Sequence, residues 1–364
     1  MSGDAGASEL ELRLVPRLRL VRYAFEKTYG SEPAGVWQAP GALVLLGGRP
    51  GGRALAVPVR WSAAVAGAPR GDRLLVVGSL NRPAEPVCLD LEVPDGGPLP
   101  GWASPVRAVA EALREAGHLT GGATLMLNAD VPETAGVASL EALRCGTALA
   151  LTSLSGGAPS RGALLAALGD AGDQMPARVA SLLGRPGHAL VIEPPVVEGS
   201  PPAPGPGPEP VHIPFEPAAA GLRLVLIALR PGDGGPVPRW QPDASDDARV
   251  DQAAGLLRAA DPAELGPGLG ALLTASHRAC PGAGTAPEAE LAVQSAIRSG
   301  ALGARATSAR GVLALVGAPS LRAVRGAVAQ AFRARGLPVP RFLTTAACWP
   351  KADQDLGGLS WTGV

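Results

Sequence analysis

The sequence has 364 residues, 46% of them apolar, and its 32 basic side chains balance its 32 acidic ones. This length is sufficient for two domains, or for one two-lobed domain with a large core. The balanced charge excludes the basic field typical of nucleic-acid-binding proteins and a polybasic membrane patch, so we expect neither nucleic-acid nor membrane partners.

The cysteines and the hydropathy pattern indicate an intracellular protein. Cys88, Cys145, Cys280 and Cys348 are widely spaced and contain no C-x-x-C pair, which predicts neither a metal site nor a disulfide framework. No segment has the pattern of a signal peptide, and no apolar run reaches the roughly 18 residues of a membrane-spanning helix. Arginine outnumbers lysine strongly, a bias typical of GC-rich bacterial genomes. We expect a cytoplasmic location.

The first half of the chain mixes predicted strands and helices. A helical pattern covers residues 18–30, and apolar or alternating runs then predict strands at residues 42–46, 53–59, 73–79 and 87–93. A helix is expected to begin at Ser104 and to stop at Gly117, followed by a strand at residues 123–132. The run VASLEALRCGTALALTSL then predicts a deeply packed helix.

The second half begins after EGSPPAPGPGPEP, residues 198–210, which is rich in Pro and Gly and predicts a loop or linker. A strand is expected at 222–229, followed by a second irregular stretch. Helices are expected at 246–259, 263–274, 287–299 and 320–336, and further strands at 311–317 and 341–347. This order favours an α+β fold over a doubly wound sheet.

These segments, in this order, resemble the galactokinases of the GHMP kinase superfamily over nearly the whole chain. FEKTYGSEPAGVWQAPG is similar to the family's first helix and A-P-G motif, and SLLGRPGHALVIE to the strand after its catalytic helix. GALGARATSARGVLALV is similar to the family's third motif. The resemblance rests on the order and spacing of seven such pieces.

The resemblance implies a two-lobed GHMP-kinase fold. Residues 1–195 would form an N-terminal lobe like ribosomal protein S5, 196–213 a Pro/Gly-rich loop, and 214–364 a C-terminal α/β lobe. The family's chemistry is transfer of the γ-phosphoryl group of ATP to a sugar hydroxyl. That chemistry needs a glycine-rich phosphate loop, Mg²⁺ and a carboxylate that receives the hydroxyl proton.

The first motif has lost the polar residues that the family uses for sugar binding. The family's arginine and asparagine fall on Ala42 and Val44, and its sugar-binding glutamate falls on Gly48. Arg49, which follows, is the candidate substrate-binding residue here, because a guanidinium can bind an anion.

The second motif is shortened to VPETAGVASLE, residues 131–141, three residues fewer than in the family. Its serine run is reduced to Ser139, and Glu133 at its rim would repel a triphosphate. A phosphate cradle needs glycines that let successive N–H groups converge, so this loop should close or misdirect the cradle. The nucleotide-binding candidates are Thr134, Ala135, Gly136 and Ser139, and no metal ligand is expected.

The position of the catalytic carboxylate depends on the register. Without a gap, the family's catalytic aspartate falls on Ala177 and the neighbouring glutamine on Arg178; with an insertion of four residues, Asp173 takes the catalytic position. Trp240 is the candidate for sugar stacking, in a segment that has lost the family's tyrosine. His277 keeps the family's Ser-His turn and is expected to be structural.

Three interpretations remain open. The favoured one is a galactokinase-like pseudoenzyme that acts by binding a protein partner or a small metabolite, without a cofactor. The alternative is an active small-molecule kinase that uses ATP and Mg²⁺, with Asp173 or Asp170 as base and Arg49 or Arg178 as anion clamp. The third is a non-functional remnant that still folds.

Overall fold

The computed structural model describes residues 16–82, 86–93, 99–129, 139–194, 209–230, 244–279, 286–308 and 310–345. The strands are β1 (Gly35–Gly47), β2 (Ala54–Arg70), β3 (Leu74–Ser79), β4 (Val87–Asp90), β5 (Gly122–Ala129), β6 (His188–Ile192), β7 (Val211–Pro214), β8 (Leu222–Ala228), β9 (Ala301–Ser308), β10 (Gly311–Gly317) and β11 (Arg341–Thr345).

The helices alternate with these strands along the chain. They are α1 (Pro16–Tyr29), α2 (Ser104–Glu115), α3 (Ser139–Leu154), α4 (Arg161–Ala167), α5 (Met175–Leu183), α6 (Asp246–Ala259), α7 (Pro262–Ala279), α8 (Pro287–Arg298) and α9 (Leu321–Arg333). A 3₁₀ turn at Gly172–Gln174 leads directly into α5, and another at Ala318–Ser320 leads into α9. None of the described helices is both long enough and apolar enough to cross a bilayer.

The first sheet has the strand order β4-β3-β5-β2-β6-β7, and β1 pairs along the length of β2. Only the β3–β5 pair among the described strands is parallel. The register between β1 and β2 shifts where Pro40 faces Ser62 and Gly41 faces Val59, so that Arg60 and Trp61 bulge out of the ladder. Pro40 has no N–H to donate, which is consistent with a bulge at this point.

Alternation along β1 and β2 gives the first sheet two different faces. Small side chains such as Ala42 and Ala56 face a core that is completed by α2, α3, α4 and α5. The larger neighbours Leu43, Leu45 and Val57 face the opposite way, toward the second sheet. Helix α1 packs on the outer part of that second face, where Phe25 is fully buried.

The second sheet is antiparallel, with the order β11-β8-β10-β9. Helices α6 and α7 cover the face that looks toward the first sheet, and α8 and α9 cover the other face. Strand β9 lies so close to α7 that a Cβ on Gly303 would overlap the backbone of Gly270. These two sheets with their helices confirm the predicted α+β class.

The main difference from the prediction is the length of β2. The strand was expected to end at residue 59, but it continues to Arg70. The extension, RWSAAVAGAPR, is rich in Ala, Gly and Pro and has low intrinsic strand propensity. Pairing with β1 on one side and β5 on the other imposes the strand. Strand β7 overlaps the end of the 196–213 segment expected to be a loop, and it pairs with β6 in the first sheet.

Candidate functional site

The turn between β1 and β2 requires glycines for its backbone geometry. Gly47 and Gly48 have φ values of +68° and +91°, and a Cβ on Gly47 would overlap the carbonyl oxygen of Arg53. A Cβ on Gly48 would lie 3.1 Å from Val44 Cγ1. The position where the resemblance places a sugar-binding glutamate therefore has a left-handed backbone and little room for any side chain.

Arg49, the candidate substrate-binding residue, forms an ion pair with the first turn of α6. Its Nη2 lies 2.7 Å from Oδ2 of Asp247. The other oxygen of Asp247 accepts a hydrogen bond of 2.9 Å from the backbone N–H of Arg53. One carboxylate thus holds both ends of the glycine turn against the second lobe.

The neighbouring Arg53 extends this contact between the lobes. Its Nε donates to Glu193 at 2.7 Å, and its Nη1 pairs with Asp251 of α6. The hydrogen bond that Arg53 donates to Glu193 is the largest cause that raises the pKa of Arg53 above its ordinary value. Both arginines of this turn are therefore neutralised by carboxylates, a cluster that we call the turn–α6 contact.

Two contacts fix how α5 lies along β1. The buried hydroxyl of Ser181 donates to the carbonyl of Pro40 at 2.7 Å. Cγ of Pro176 lies 3.8 Å from the point where a Cβ on Gly48 would be. Ala177, next to Pro176, is the residue that takes the family's catalytic position in the ungapped register. It is 2% exposed and belongs to the core between the first sheet and its helices.

Arg178 is buried in a polar cluster on the helix side of the first sheet. Its Nε donates to Glu141 at 2.6 Å, and its Nη1 donates to the carbonyls of Leu168 and Gly169 at 2.8 Å each. Glu141 is fully buried and also pairs with Arg144. A buried carboxylate needs such partners, and they occupy the guanidinium that the alternative interpretation assigned to an anion.

The carboxylates considered as bases lie before α5, not on it. Asp173 is an exposed residue of the 3₁₀ turn, and Asp170 is exposed as well. One oxygen of Asp170 accepts a hydrogen bond of 2.8 Å from the N–H of Gly172, which closes a local turn. The structure does not bring either carboxylate into contact with Arg49.

The remaining candidates fall at or beyond the edge of the described residues. Ser139 is the first residue of α3 and is partly exposed. Thr134, Ala135 and Gly136 of the second motif, and Trp240, lie outside the described residues.

A buried polar cluster joins α6, α7 and β9 in the second lobe. Asp246 is fully buried and accepts hydrogen bonds from Ser276 at 2.7 Å and from Arg249 at 2.5 Å. Arg305, from the third motif, reaches the Ser276 hydroxyl at 3.4 Å. The serine of the Ser-His turn thus connects two helices to the motif strand.

His277 of the same turn also has packing partners. The backbone N–H of Ala306 donates to its Nδ1 at 3.4 Å, and its Nε2 lies 2.9 Å from the Glu290 carboxylate. Partial burial acts to raise the pKa of Glu290, but hydrogen bonds from Gln294 and His277 bring it below its ordinary value. These contacts tie α7 to α8 and β9.

The carboxylates that neutralise these arginines could not be recognised from the sequence. Asp246 and Asp247 open α6, and two acidic residues in a first turn are ordinary for the positive end of a helix. Only the fold shows that one faces inward to Ser276 and the other outward to the glycine turn. Glu141 was read as part of the shortened motif, without its buried partners.

Known proteins resemble this chain in sequence and in structure. No family model matches the chain. A galactokinase of Streptomyces coelicolor is 29% identical over 377 aligned positions, covering 87% of this chain and 93% of that protein. A galactokinase of Streptomyces lividans is 29% identical over 331 positions, covering 75% and 79%.

Solved structures show the same fold. Lactococcus lactis galactokinase, crystallised with galactose, superposes with a TM-score of 0.69 at 17% identity, covering 92% of this chain and 99% of that one. Methanococcus jannaschii mevalonate kinase gives a TM-score of 0.58 at 11% identity, with coverage of 85% and 97%. With the ordered motifs and the two-sheet architecture, these similarities support a divergent, galactokinase-like chain with the fold of the GHMP kinases.

Proposed function

We propose that this chain is a galactokinase-like pseudoenzyme, which has lost phosphotransfer and acts through binding or regulation. The observation that carries the proposal is the place of Ala177. It lies on α5 beside the first-motif turn and is 2% exposed in an apolar core. A residue there can neither accept a hydroxyl proton nor reach a sugar.

The first-motif turn supports the same conclusion. A sugar site needs side chains that accept hydrogen bonds from hydroxyl groups, but Gly48 contributes none. Arg49 is already neutralised by Asp247 at 2.7 Å. An incoming phosphate would have to compete with a carboxylate that is held in place by a second hydrogen bond from Arg53.

ATP and Mg²⁺ are what galactokinase chemistry would require if catalysis were retained. The described residues form no group of three or more His, Cys, Asp or Glu side chains with metal-binding geometry. The residues described at the first motif and at α5 do not fit a sugar with its metal-bound nucleotide, so we derive no catalytic step here.

The alternative function is an active kinase with a remodelled site. Its support is the relationship to galactokinases and the exposed Asp173 and Asp170 just before α5. The kinase would bind ATP with Mg²⁺ and use one of these carboxylates as base.

The test is thermal unfolding with and without millimolar Mg-ATP, then with galactose added, followed by a phosphotransfer assay. A ligand at about 100 times its dissociation constant adds roughly 2.7 kcal/mol, which shifts a protein of this size by at least a few degrees. We expect no shift and no turnover, with the Streptomyces coelicolor galactokinase as positive control. A shift with turnover overturns the proposal, and D173N and D170N then decide which carboxylate serves as base.

A further inference from the structure

The charge of this neutral protein is unevenly distributed along the chain. Residues 291–345 contain eight arginines and not one aspartate or glutamate. This stretch covers most of α8, strands β9, β10 and β11, and α9. Because the whole chain has a formal net charge of zero, the rest of it is correspondingly acidic.

Six of these arginines are exposed, and they lie on α8, α9 and β11. They are Arg298, Arg322, Arg325, Arg333, Arg335 and Arg341. Helices α8 and α9 pack on the face of the second sheet that is turned away from the first sheet. Against these six arginines stand Glu288 and Glu290 in the first turn of α8. The outer face of the second lobe therefore carries an excess of positive charge, on the side away from the turn–α6 contact.

An open groove of about 420 Å³ runs between α8 and α9 on this face. Apart from Leu291 and two arginines, its lining is small: Ala327 and Ala331 from α9, Ser295 from α8, and Ala334 and Ser299 just after these helices. The two serines offer a ligand little hydrogen-bonding capacity, because Ser295 is buried and the Ser299 hydroxyl donates to the Ser295 carbonyl. Small side chains let another backbone approach closely.

The two arginines of the groove lie at its opposite ends. A Cβ on Gly300, just after α8, would lie 3.5 Å from Oγ of Ser320, just before α9. The end of α8 therefore lies beside the start of α9, and the two helices run antiparallel. Arg298 therefore lies near the start of α9, and Arg335 follows the end of α9. The groove from residue 327 to residue 335 spans roughly 12 Å at the helical rise.

No carboxylate of the described residues neutralises either arginine. Arg298 bonds only to the carbonyl and side-chain oxygens of Gln294, at 3.2 and 3.1 Å. Among the described residues, no carboxylate pairs with Arg298 or Arg335. Guanidinium groups of this kind bind carboxylates in a bidentate geometry, which favours an anionic partner.

The shape of the groove favours a protein segment over a small molecule. A small ligand usually has most of its surface buried in a concave pocket, whereas this groove is open along its length. A helix laid in a groove between two helices is a common mode of peptide recognition. Carboxylates seven residues apart on such a helix are separated by about 10 Å, comparable with the roughly 12 Å that residues 327–335 along one wall of the groove span.

We propose that the α8–α9 groove is the docking site for an acidic helical segment of a protein partner, with Arg298 and Arg335 each binding one carboxylate. The proposal rests on the proposed function, because a galactokinase relative that does not transfer phosphate must act through what it binds. The groove is the surface of this chain that would bind the partner, and acidic side chains are the chemistry that the partner would supply.

The test is fluorescence anisotropy with a fluorescein-labelled 20-residue helical peptide. The peptide consists of alanine, leucine and glutamine, with glutamates at two positions seven residues apart. We expect saturable binding that weakens several-fold between 50 and 300 mM salt, because exposed charge pairs are screened. Replacing both glutamates with glutamine should weaken binding at least tenfold.

The protein variants test the two arginines directly. Arg298→Glu/Arg335→Glu should weaken peptide binding at least tenfold. The matched control, Arg258→Glu/Arg278→Glu, changes the charge equally on exposed residues of α6 and α7, and should stay within twofold of wild type. Thermal unfolding of each variant shows whether the fold is intact.

Three results would overturn the proposal. One is the absence of saturable peptide binding to the wild-type protein, and another is an equal loss in both double variants. The third is tighter binding of a 20-base-pair DNA duplex with the same sensitivity to Arg298 and Arg335, which would assign the surface to nucleic acid. Phosphotransfer with intact peptide binding would remove only the proposed function.

Discussion

The Asp247 carboxylate joins the glycine turn after β1 to the first turn of α6. Its two oxygens bind different parts of the glycine turn, the Arg49 guanidinium at 2.7 Å and the Arg53 N–H at 2.9 Å. Because the side chains of Arg49 and Asp247 are 33% and 31% exposed, water screens the pair only in part. The contact stabilises the turn and at the same time removes a positive charge from the candidate site.

The first prediction concerns this contact. Asp247→Asn should lower the free energy of unfolding by about 1 kcal/mol, because it removes the charge but leaves an oxygen for the Arg53 N–H. Asp251→Asn is the matched control and should cost less than half as much, because Asp251 is more exposed and Arg53 keeps Glu193. Urea unfolding measures both, and equal losses would contradict the role given to Asp247.

The second prediction concerns Ala177. Ala177→Asp should lower the free energy of unfolding by about 3 kcal/mol, because it buries a carboxylate in an apolar core. Asp173→Ala, at an exposed position of the preceding turn, should stay within about 0.5 kcal/mol. If Ala177→Asp is as stable as wild type, the position opens into a solvated cleft and the pseudoenzyme proposal loses its main support.

At the scale of elements, β6 and β7 pair antiparallel at the edge of the first sheet, and each carries one histidine. The rings of His188 and His212 lie 6.3 Å apart, and Nε2 of His212 is bonded to the carbonyl of Leu183 at 2.8 Å. Desolvation is the largest cause that lowers the pKa of His212 below its ordinary value. The folded protein therefore binds this proton less readily than the unfolded chain.

The third prediction follows from that sign. A group with a lowered folded pKa contributes stability that is complete above its unfolded pKa, near 6.5, and is lost as the pH falls toward the folded pKa. The urea midpoint of the wild type should decrease as the pH is lowered from 7.5 to 5, and His212→Gln should make this slope of midpoint against pH smaller. Leu20→Ala, which removes no titratable group from an exposed position, should leave the slope as it is. An unchanged slope in His212→Gln would contradict the assignment.

The elements also show how far the sequence could be interpreted. Helix α6 begins and ends where its pattern predicts, and the strand at Gly311–Gly317 does too, because periodicity, acidic first turn and flanking glycines agree locally. The second half of β2 could not be predicted, since its Ala- and Gly-rich residues become a strand only between two partners. Tertiary pairing overrides a weak local preference there.

The candidate site, too, could be predicted from the sequence only in part. The sequence predicts the loss of polar site residues, because Gly48 and, in the ungapped register, Ala177 stand where the resemblance places a sugar-binding glutamate and the catalytic aspartate. What replaced those side chains is not visible, because Asp247 is 198 residues from Arg49 along the chain and meets it only in the folded protein. Ion pairs between distant residues leave no local pattern to interpret.

At the scale of the molecule, the two lobes share one apolar core. This shared core contains Leu43, Leu55 and Val57 from the first sheet, together with Leu224 from the second sheet and Leu269 from α7. The turn–α6 contact lies where the same elements meet. Because burial of apolar surface is the dominant favourable term in folding, lobes joined in this way should unfold together.

The last prediction tests this coupling. Leu224→Ala, at a fully buried position of the shared core, should cost about 2–5 kcal/mol. Hydrogen exchange should then accelerate in β1 and β2 as well as in β8 and β10, because opening of one lobe exposes the core of the other. Leu20→Ala on the exposed side of α1 is the control and should change neither. Faster exchange confined to the second sheet would show that the lobes unfold independently and would contradict the coupling through the shared core.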